Sequence, residues 1–237
     1  MEYRSPKALG IAVMCTLAGC GLSQLILAIA GLIQTIGPAI PLRGSGSSVP
    51  LMIEASIGSI YSLLYLGTAV LFIVWLYRAH KNLQFLRPDL LEFSDAAAIG
   101  WWFAPFFSLV RPFQVVREVW AESDPDFDPD ALHLSANLHT APGHMVAWWC
   151  AFILMGLAAN AKLLVAANTG GLMLTTYGLV TLIDGVISAI AAGLAIWVVK
   201  DTSERQDARL KTLGSFVPEH LPPPPPSFET EPEIQEA

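Results

Sequence analysis

The sequence predicts an all-α membrane protein with four transmembrane helices and a broken amphipathic or re-entrant helical segment on the cytoplasmic side. Of the 237 residues, 54% are hydrophobic and only 14% are charged, whereas soluble domains carry about 25% charged residues. Long apolar runs occur four times, and a run of about 20 apolar residues spans a bilayer. No basic face or stripe suggests nucleic-acid binding.

The predicted spans cover residues 8–36, 51–77, 144–167 and 176–199. The first run continues well past Cys20, which favours an uncleaved helix over a removed signal peptide. The second span ends with Trp75 and Tyr77, side chains that suit a membrane–water interface, and we expect its helix to stop at Arg78. A tight turn at residues 168–171 joins the third span to the fourth.

The distribution of Lys and Arg predicts the orientation. With a cytoplasmic N-terminus, eleven basic residues lie inside, only Arg43 lies outside, and Lys162 lies within a span. This bias is a strong positive-inside signal. We therefore expect a bacterial cytoplasmic membrane protein whose two termini and long central segment are cytoplasmic.

The segment at residues 94–121 separates the second and third spans. Its charge-free part, residues 96–110, is too short for a comfortable span, and Pro105 in its middle breaks a helix. We predict two short helices that lie in, or dip into, the cytoplasmic leaflet. Ser94 caps the first and Pro112 occupies the first turn of the second.

The second short helix is predicted to be amphipathic. Phe113, Val116, Val119 and Trp120 fall on one side, and Gln114, Arg117 and Glu118 fall on the other. Such a helix rests its apolar side on the protein, on lipid, or on both.

Several short motifs follow one another through the central part of the chain. They are residues 75–83 (WLYRAHKNL), 100–105 (GWWFAP), 109–112 (LVRP), 117–120 (REVW) and the pair Trp148-Trp149. Over residues 63–199 this set resembles the bacterial membrane family catalogued as domain of unknown function 4328. The resemblance implies a bacterial multi-pass membrane protein and supplies no activity or catalytic residue. The candidate interfacial motif consists of Gly100, Trp101, Trp102, Pro105, Arg111 and Pro112.

Three ionisable residues within the spans form a candidate intramembrane charge network: Glu54, Lys162 and Asp184. At about 1.5 Å per residue, Lys162 lies roughly 9 Å and Asp184 roughly 12 Å from the outer ends of their helices. These depths predict an ion pair, for which Glu54 competes as a partner. Charged groups in a bilayer either pair or snorkel, or they mark an ion, proton or substrate pathway.

No catalytic or cofactor motif is recognisable. His133, His139 and His144 match no standard metal-ligand spacing, and the alternating acids of residues 124–130 fail the EF-hand pattern because Pro129 stands where Gly is needed. The three cysteines lie in predicted spans and predict no disulfide framework. We therefore expect neither an enzyme nor a bound metal or cofactor.

Residues 200–237 are predicted to form a cytoplasmic, acidic, proline-rich and mostly disordered tail. Its first part has mixed charge and continues the last helix for a few turns, and order should fade after Gly214. The run Pro222–Pro226 favours an extended spacer over a docking motif.

The absence of catalytic motifs favours a non-enzymatic scaffold or accessory membrane component. Its expected partners are the lipid bilayer and either further copies of the chain or another membrane protein. The alternative is a small transporter or channel that uses a polar seam around Asp184 and Lys162.

Overall fold

The computed structural model describes residues 5–36, 49–86, 91–125, 141–167 and 174–215, and these are helical without a strand. The helices are α1 (Lys7–Ile36), α2 (Val49–Leu86), α3 (Asp95–Gly100), α4 (Arg111–Ala121), α5 (Gly143–Ala167) and α6 (Leu174–Ser215), with a 3₁₀ turn at Phe107–Leu109. Glu54 lies within α2, but its side chain is not among those that the structure describes. The predicted turn at residues 168–171 and the proline-rich tail also lie outside the described ranges.

Four helices of the described chain are long and apolar enough to cross a membrane. The candidate spans are Lys7–Ile33, Ser56–Gln84, Gly143–Val165 and Thr176–Leu213. The prediction of an all-helical chain with four such helices is therefore confirmed. The expected end of the second helix at Arg78 was wrong, because α2 continues to Leu86. As predicted, α6 continues beyond Lys200, and it ends at Ser215.

Helices α1 and α6 form the centre of the bundle. They pack along each other more extensively than any other pair, while α2 packs on α1 and α5 packs on α6. Gly185 of α6 makes this approach close, since a Cβ there would lie 2.5 Å from the carbonyl oxygen of Gln24. Gly31 of α1 is similar, with a Cβ falling 2.6 Å from the carbonyl oxygen of Gly178. Small residues thus permit backbone contact between the two helices.

The buried core lies toward one end of this bundle. There the start of α1, the end of α2, the start of α5 and the extension of α6 meet α3 and α4. We call this the core end, and the opposite end, near Ile36 and Leu174, the far end. Among the core residues are Leu76, Leu83 and Met145, which are fully buried.

The broken segment folds back under the core end. Ser94 caps α3 by accepting a hydrogen bond from the amide of Ala97 at 3.3 Å, and Pro112 lies in the first turn of α4. Both predictions about these helix starts are confirmed. The apolar side of α4 packs on the bundle through Val115, Val116 and Val119, which are fully buried. The assignment of Glu118 to the outer side was wrong, because its side chain is almost entirely buried.

Replacing Gly185 with alanine should destabilise the fold, because the added methyl group meets backbone atoms of α1 that cannot move aside locally. We expect the free energy of unfolding in mild detergent to fall by about 1–3 kcal/mol. Gly193→Ala is the matched control, since a Cβ at Gly193 of the same helix meets nothing within 4 Å. Equal stability of the two variants would contradict the close α1–α6 contact.

Candidate functional site

A buried histidine lies where α2 meets α3 and α4. His80 follows Leu76 and Ala79 on the buried side of α2, and all three are fully buried. Its Nδ1 atom lies 2.9 Å from Oδ1 of Asp95, and its Nε2 atom lies 3.4 Å from Oε2 of Glu118. The imidazole ring therefore stands between two carboxylates that belong to two other helices.

Both carboxylates also bind other groups. Gln84 donates from Nε2 to Oδ2 of Asp95 at 2.8 Å. Oε1 of Glu118 accepts from the backbone amides of Glu92 and Phe93, residues that lead into α3. Hydrogen bonds to ionised groups are the stronger kind, at about 1.5–3 kcal/mol each. This cluster therefore fixes α3 and α4 against the end of α2.

The extension of α6 supplies a second set of polar contacts to α2. Gln206 is fully buried and donates from Nε2 to the carbonyl oxygen of Ala79 at 2.8 Å. Trp75 donates from its indole nitrogen to the hydroxyl of Ser203 at 3.2 Å. These bonds satisfy polar groups that would be costly to bury alone.

A third set joins α6 to α4 and α5. Asp201 accepts a hydrogen bond from the indole nitrogen of Trp120 at 2.6 Å, and it lies 3.4 Å from Nε2 of His144. Arg205 pairs with Asp124 at 3.2 Å and lies over the ring of Trp120, 4.0 Å from its centroid. These three sets of polar and charged contacts tie α2, α3, α4, α5 and α6 together at the core end.

The His80 cluster resembles a site for acid–base chemistry by residue type, but its geometry is that of a clamp. Asp95 and Glu118 approach opposite nitrogens of a ring with no solvent exposure. Both ring nitrogens face carboxylates, and neither is exposed to solvent. Within the described ranges, no group of three or more His, Cys, Asp or Glu side chains could hold a metal ion. His133 and His139 lie outside those ranges.

Aromatic side chains pack above this polar layer, in the direction of the far end. Trp102 contacts Phe72 edge-on at 5.7 Å between ring centroids, and it lies 6.2 Å from both Trp149 and Phe152. Trp148 lies 5.8 Å from Phe72. Edge-to-face rings at such distances attract one another beyond the area they bury. The layer thus connects α2, α5 and the segment between α3 and α4.

The candidate interfacial motif surrounds this layer. Both tryptophans are partly buried, but Trp102 packs on Phe72, Trp149 and Phe152, whereas the ring centroid of Trp101 lies 5.5 Å from the guanidinium of Arg111. Gly100 ends α3, Pro105 is exposed, and Pro112 is buried. Trp149, outside the motif, donates to the carbonyl oxygen of Leu109 at 2.9 Å.

The intramembrane charges lie toward the far end. Nζ of Lys162 is 3.8 Å from Oδ2 of Asp184, so the structure brings these two predicted residues together. Ser188 donates to Oδ1 of Asp184 at 3.5 Å, and Lys162 lies 5.9 Å from the ring centroid of Tyr177. The third predicted member, Glu54, has its side chain outside the described set.

Sequence reasoning did not predict the polar clusters of the core end. A signal was present on α2, where Leu76, Ala79, His80 and Leu83 recur at steps of three and four residues, the spacing of one helix face. A histidine within such a buried face requires a partner. The sequence does not say which acids supply it.

Replacing His80 with leucine should loosen α3 and α4, because Asp95 and Glu118 would then face an apolar group. We expect hydrogen–deuterium exchange in residues 95–121 to rise and the free energy of unfolding to fall by about 1–3 kcal/mol. Lys81→Leu, at the exposed neighbouring position of α2, is the control. Unchanged exchange in the His80 variant would contradict the clamp.

A comparison with models of known protein families agrees with the resemblance that the sequence motifs indicate. The model of the family described as "Domain of unknown function (DUF4328)" matches residues 50–204, which include α3, α4 and the clamp around His80. Comparisons with curated proteins and with solved structures find no match. The four long apolar helices and this match fit a membrane protein of unknown function, and the chain belongs to the DUF4328 family.

Proposed function

We propose that this chain is a non-enzymatic scaffold or accessory subunit of the bacterial cytoplasmic membrane, with its core end and both termini in the cytoplasm. The positions of its basic residues support this orientation. Within the described ranges, every Lys and Arg except Lys162 lies at the core end, as the positive-inside rule requires of a cytoplasmic face.

The observation that carries the proposal is the outward face of the segment between α3 and α4. Five large apolar side chains there are more than half exposed: Phe103, Phe106, Phe107, Leu109 and Val110. Phe106 is 86% exposed and has a φ of 63°, a backbone conformation that is costly for a residue with a side chain. Packing within the chain does not repay this cost, so we infer that an external contact does.

The segment is also rigidly supported. Trp149 bonds to the backbone at Leu109, Trp101 lies 5.4 Å from Phe107, and Arg111 covers Trp101. Aromatic anchors on a rigid support dominate the energy of protein interfaces, since little conformational entropy is lost on binding. A partner membrane protein, or a second copy of the chain, is the occupant we propose, while the bilayer surrounds the rest of the bundle.

A photoreactive amino acid at position 106 should crosslink to one protein of defined mass in native membranes. Leu63 on α2 is the matched control, because it is 74% exposed on the side of an apolar helix, and we expect only lipid adducts there. Phe106→Ser should abolish the stoichiometric complex in native mass spectrometry of the tagged, full-length protein. Lipid adducts alone at both positions would contradict the proposal and leave a bilayer anchor.

The second candidate, a small transporter or channel, is favoured by one observation. Ser188 binds the intramembrane Asp184 and also lines a cavity inside the bundle. Ionisable groups beside an intramembrane cavity are typical of ion and proton pathways. The mutual pairing of Lys162 and Asp184 instead supports a structural role for both charges.

Proton flux into proteoliposomes distinguishes the two candidates. For a scaffold we expect the wild type and Asp184→Asn to match protein-free liposomes, measured with an internal pH-sensitive dye under an imposed pH gradient. A wild-type flux above this background that Asp184→Asn abolishes would contradict the scaffold proposal. Retention of the partner in the Asp184 variant, seen by native mass spectrometry, shows that the variant still assembles.

A further inference from the structure

A cavity of about 150 Å³ lies inside the bundle between α2 and α5. These helices pack mainly on the central pair α1 and α6 rather than on each other, which leaves a gap whose back wall is formed by α1 and α6. Trp102 closes it toward the core end through its contacts with Phe72 and Phe152. The volume matches that of an engineered apolar cavity that accepts benzene.

The cavity is partly open, and its wall on α2 includes a side chain that also reaches the surface of the bundle. Tyr65 lines it and is 39% exposed, and the neighbouring Leu66 of the same helix is also exposed. Because α2 is a candidate membrane span, this opening faces the acyl chains of the surrounding bilayer. An apolar molecule dissolved in the bilayer can therefore enter without crossing water.

The lining is almost entirely apolar, and two of its polar side chains bond to groups of their own helices. Thr68 donates its hydroxyl proton to the carbonyl oxygen of Leu64, and Ser188 donates to Asp184. Gln24 differs from both. It is only 4% exposed, it lines the cavity, and its Oε1 atom has no hydrogen-bond partner in the described part of the chain.

Tyr61 lies within hydrogen-bonding reach of the Gln24 side chain and can pair with the nitrogen of its amide. The carbonyl oxygen is left as a buried acceptor, which costs about 1–3 kcal/mol while it stays unsatisfied. A ligand that donates one hydrogen bond there removes this cost. Ala195 follows Ser188 by seven positions along α6, and both line the cavity, so about 10 Å of apolar channel extends from this acceptor toward Trp102.

We propose that this cavity binds a single-chain amphiphile that carries a neutral hydrogen-bond donor, of the class of a long-chain primary alcohol. Its hydroxyl group donates to Gln24 Oε1, and its hydrocarbon chain lies along the channel between α2 and α5. The ligand comes from the bilayer. This site goes beyond the scaffold proposal and does not depend on it, because it lies inside the bundle and away from Phe106.

Photolabelling of the full-length protein in proteoliposomes tests the site, with decan-1-ol bearing a diazirine on its chain as the probe. We expect saturable labelling of cavity-lining peptides, with unlabelled decan-1-ol competing more strongly than decane. Gln24→Leu removes the acceptor at similar volume and should weaken competition by decan-1-ol about threefold to tenfold, the value of one hydrogen bond. It should leave competition by decane unchanged.

Filling the cavity is the complementary variant. Ala69→Phe, or Ala69→Leu if the larger side chain impairs folding, should abolish saturable labelling, because Ala69 lines the cavity. Ala159→Phe, at an exposed position of α5, should label like the wild type. Labelling that is not saturable would overturn the site. An unchanged competition by decan-1-ol in Gln24→Leu would overturn the ligand class, since the cavity would then take hydrocarbon alone and the amide would bind water.

Discussion

The pairing of His80 with Asp95 and Glu118 is the interaction on which the core end depends. An ionisable ring with no solvent exposure requires partners, since a buried polar group without them costs several kcal/mol. Here both partners come from helices outside the four long ones. The pairing therefore holds α3 against the end of α2 and α4 beneath the bundle. Polar contacts from the extension of α6 to α2, α4 and α5 stabilise the same end of the bundle.

This anchoring explains how a short, proline-broken segment has a defined shape beside the bundle. Because α3 and α4 are both anchored, the residues between them have little conformational freedom. Trp102 and Trp149 fill the space between this segment and the bundle. The unfavourable φ of Phe106 lies at the exposed side of this segment, where we propose that a partner binds. One side of the segment thus belongs to the core, and the other side remains available for contact.

Local patterns in the sequence predicted the features that depend on local physics. The apolar run lengths predicted the four long helices, and the roles of Ser94 and Pro112 followed from capping chemistry and the fixed φ of proline. The end of α2 was wrong because Arg78 was taken to end the helix, although Leu83 and Leu86 continue its buried face. Glu118 was misplaced because polarity alone sorted the faces of α4. Its partner His80 is distant along the chain, and only the packing of α4 against α2 brings the two together.

Charged groups are paired at both ends of the bundle, which limits the residues that a function could use. At the core end, His80, Asp201 and Arg205 each pair with a group on another element, and toward the far end Lys162 pairs with Asp184. Charges engaged in this way position helices. Among the features that such pairing leaves unexplained are the exposed aromatic face at Phe106 and the unsatisfied acceptor of Gln24. Trp102 precedes Phe106 by four residues and also lines the cavity that Gln24 lines, so a change at Trp102 would affect both. Variants at Phe106 and Gln24 are the ones that separate them.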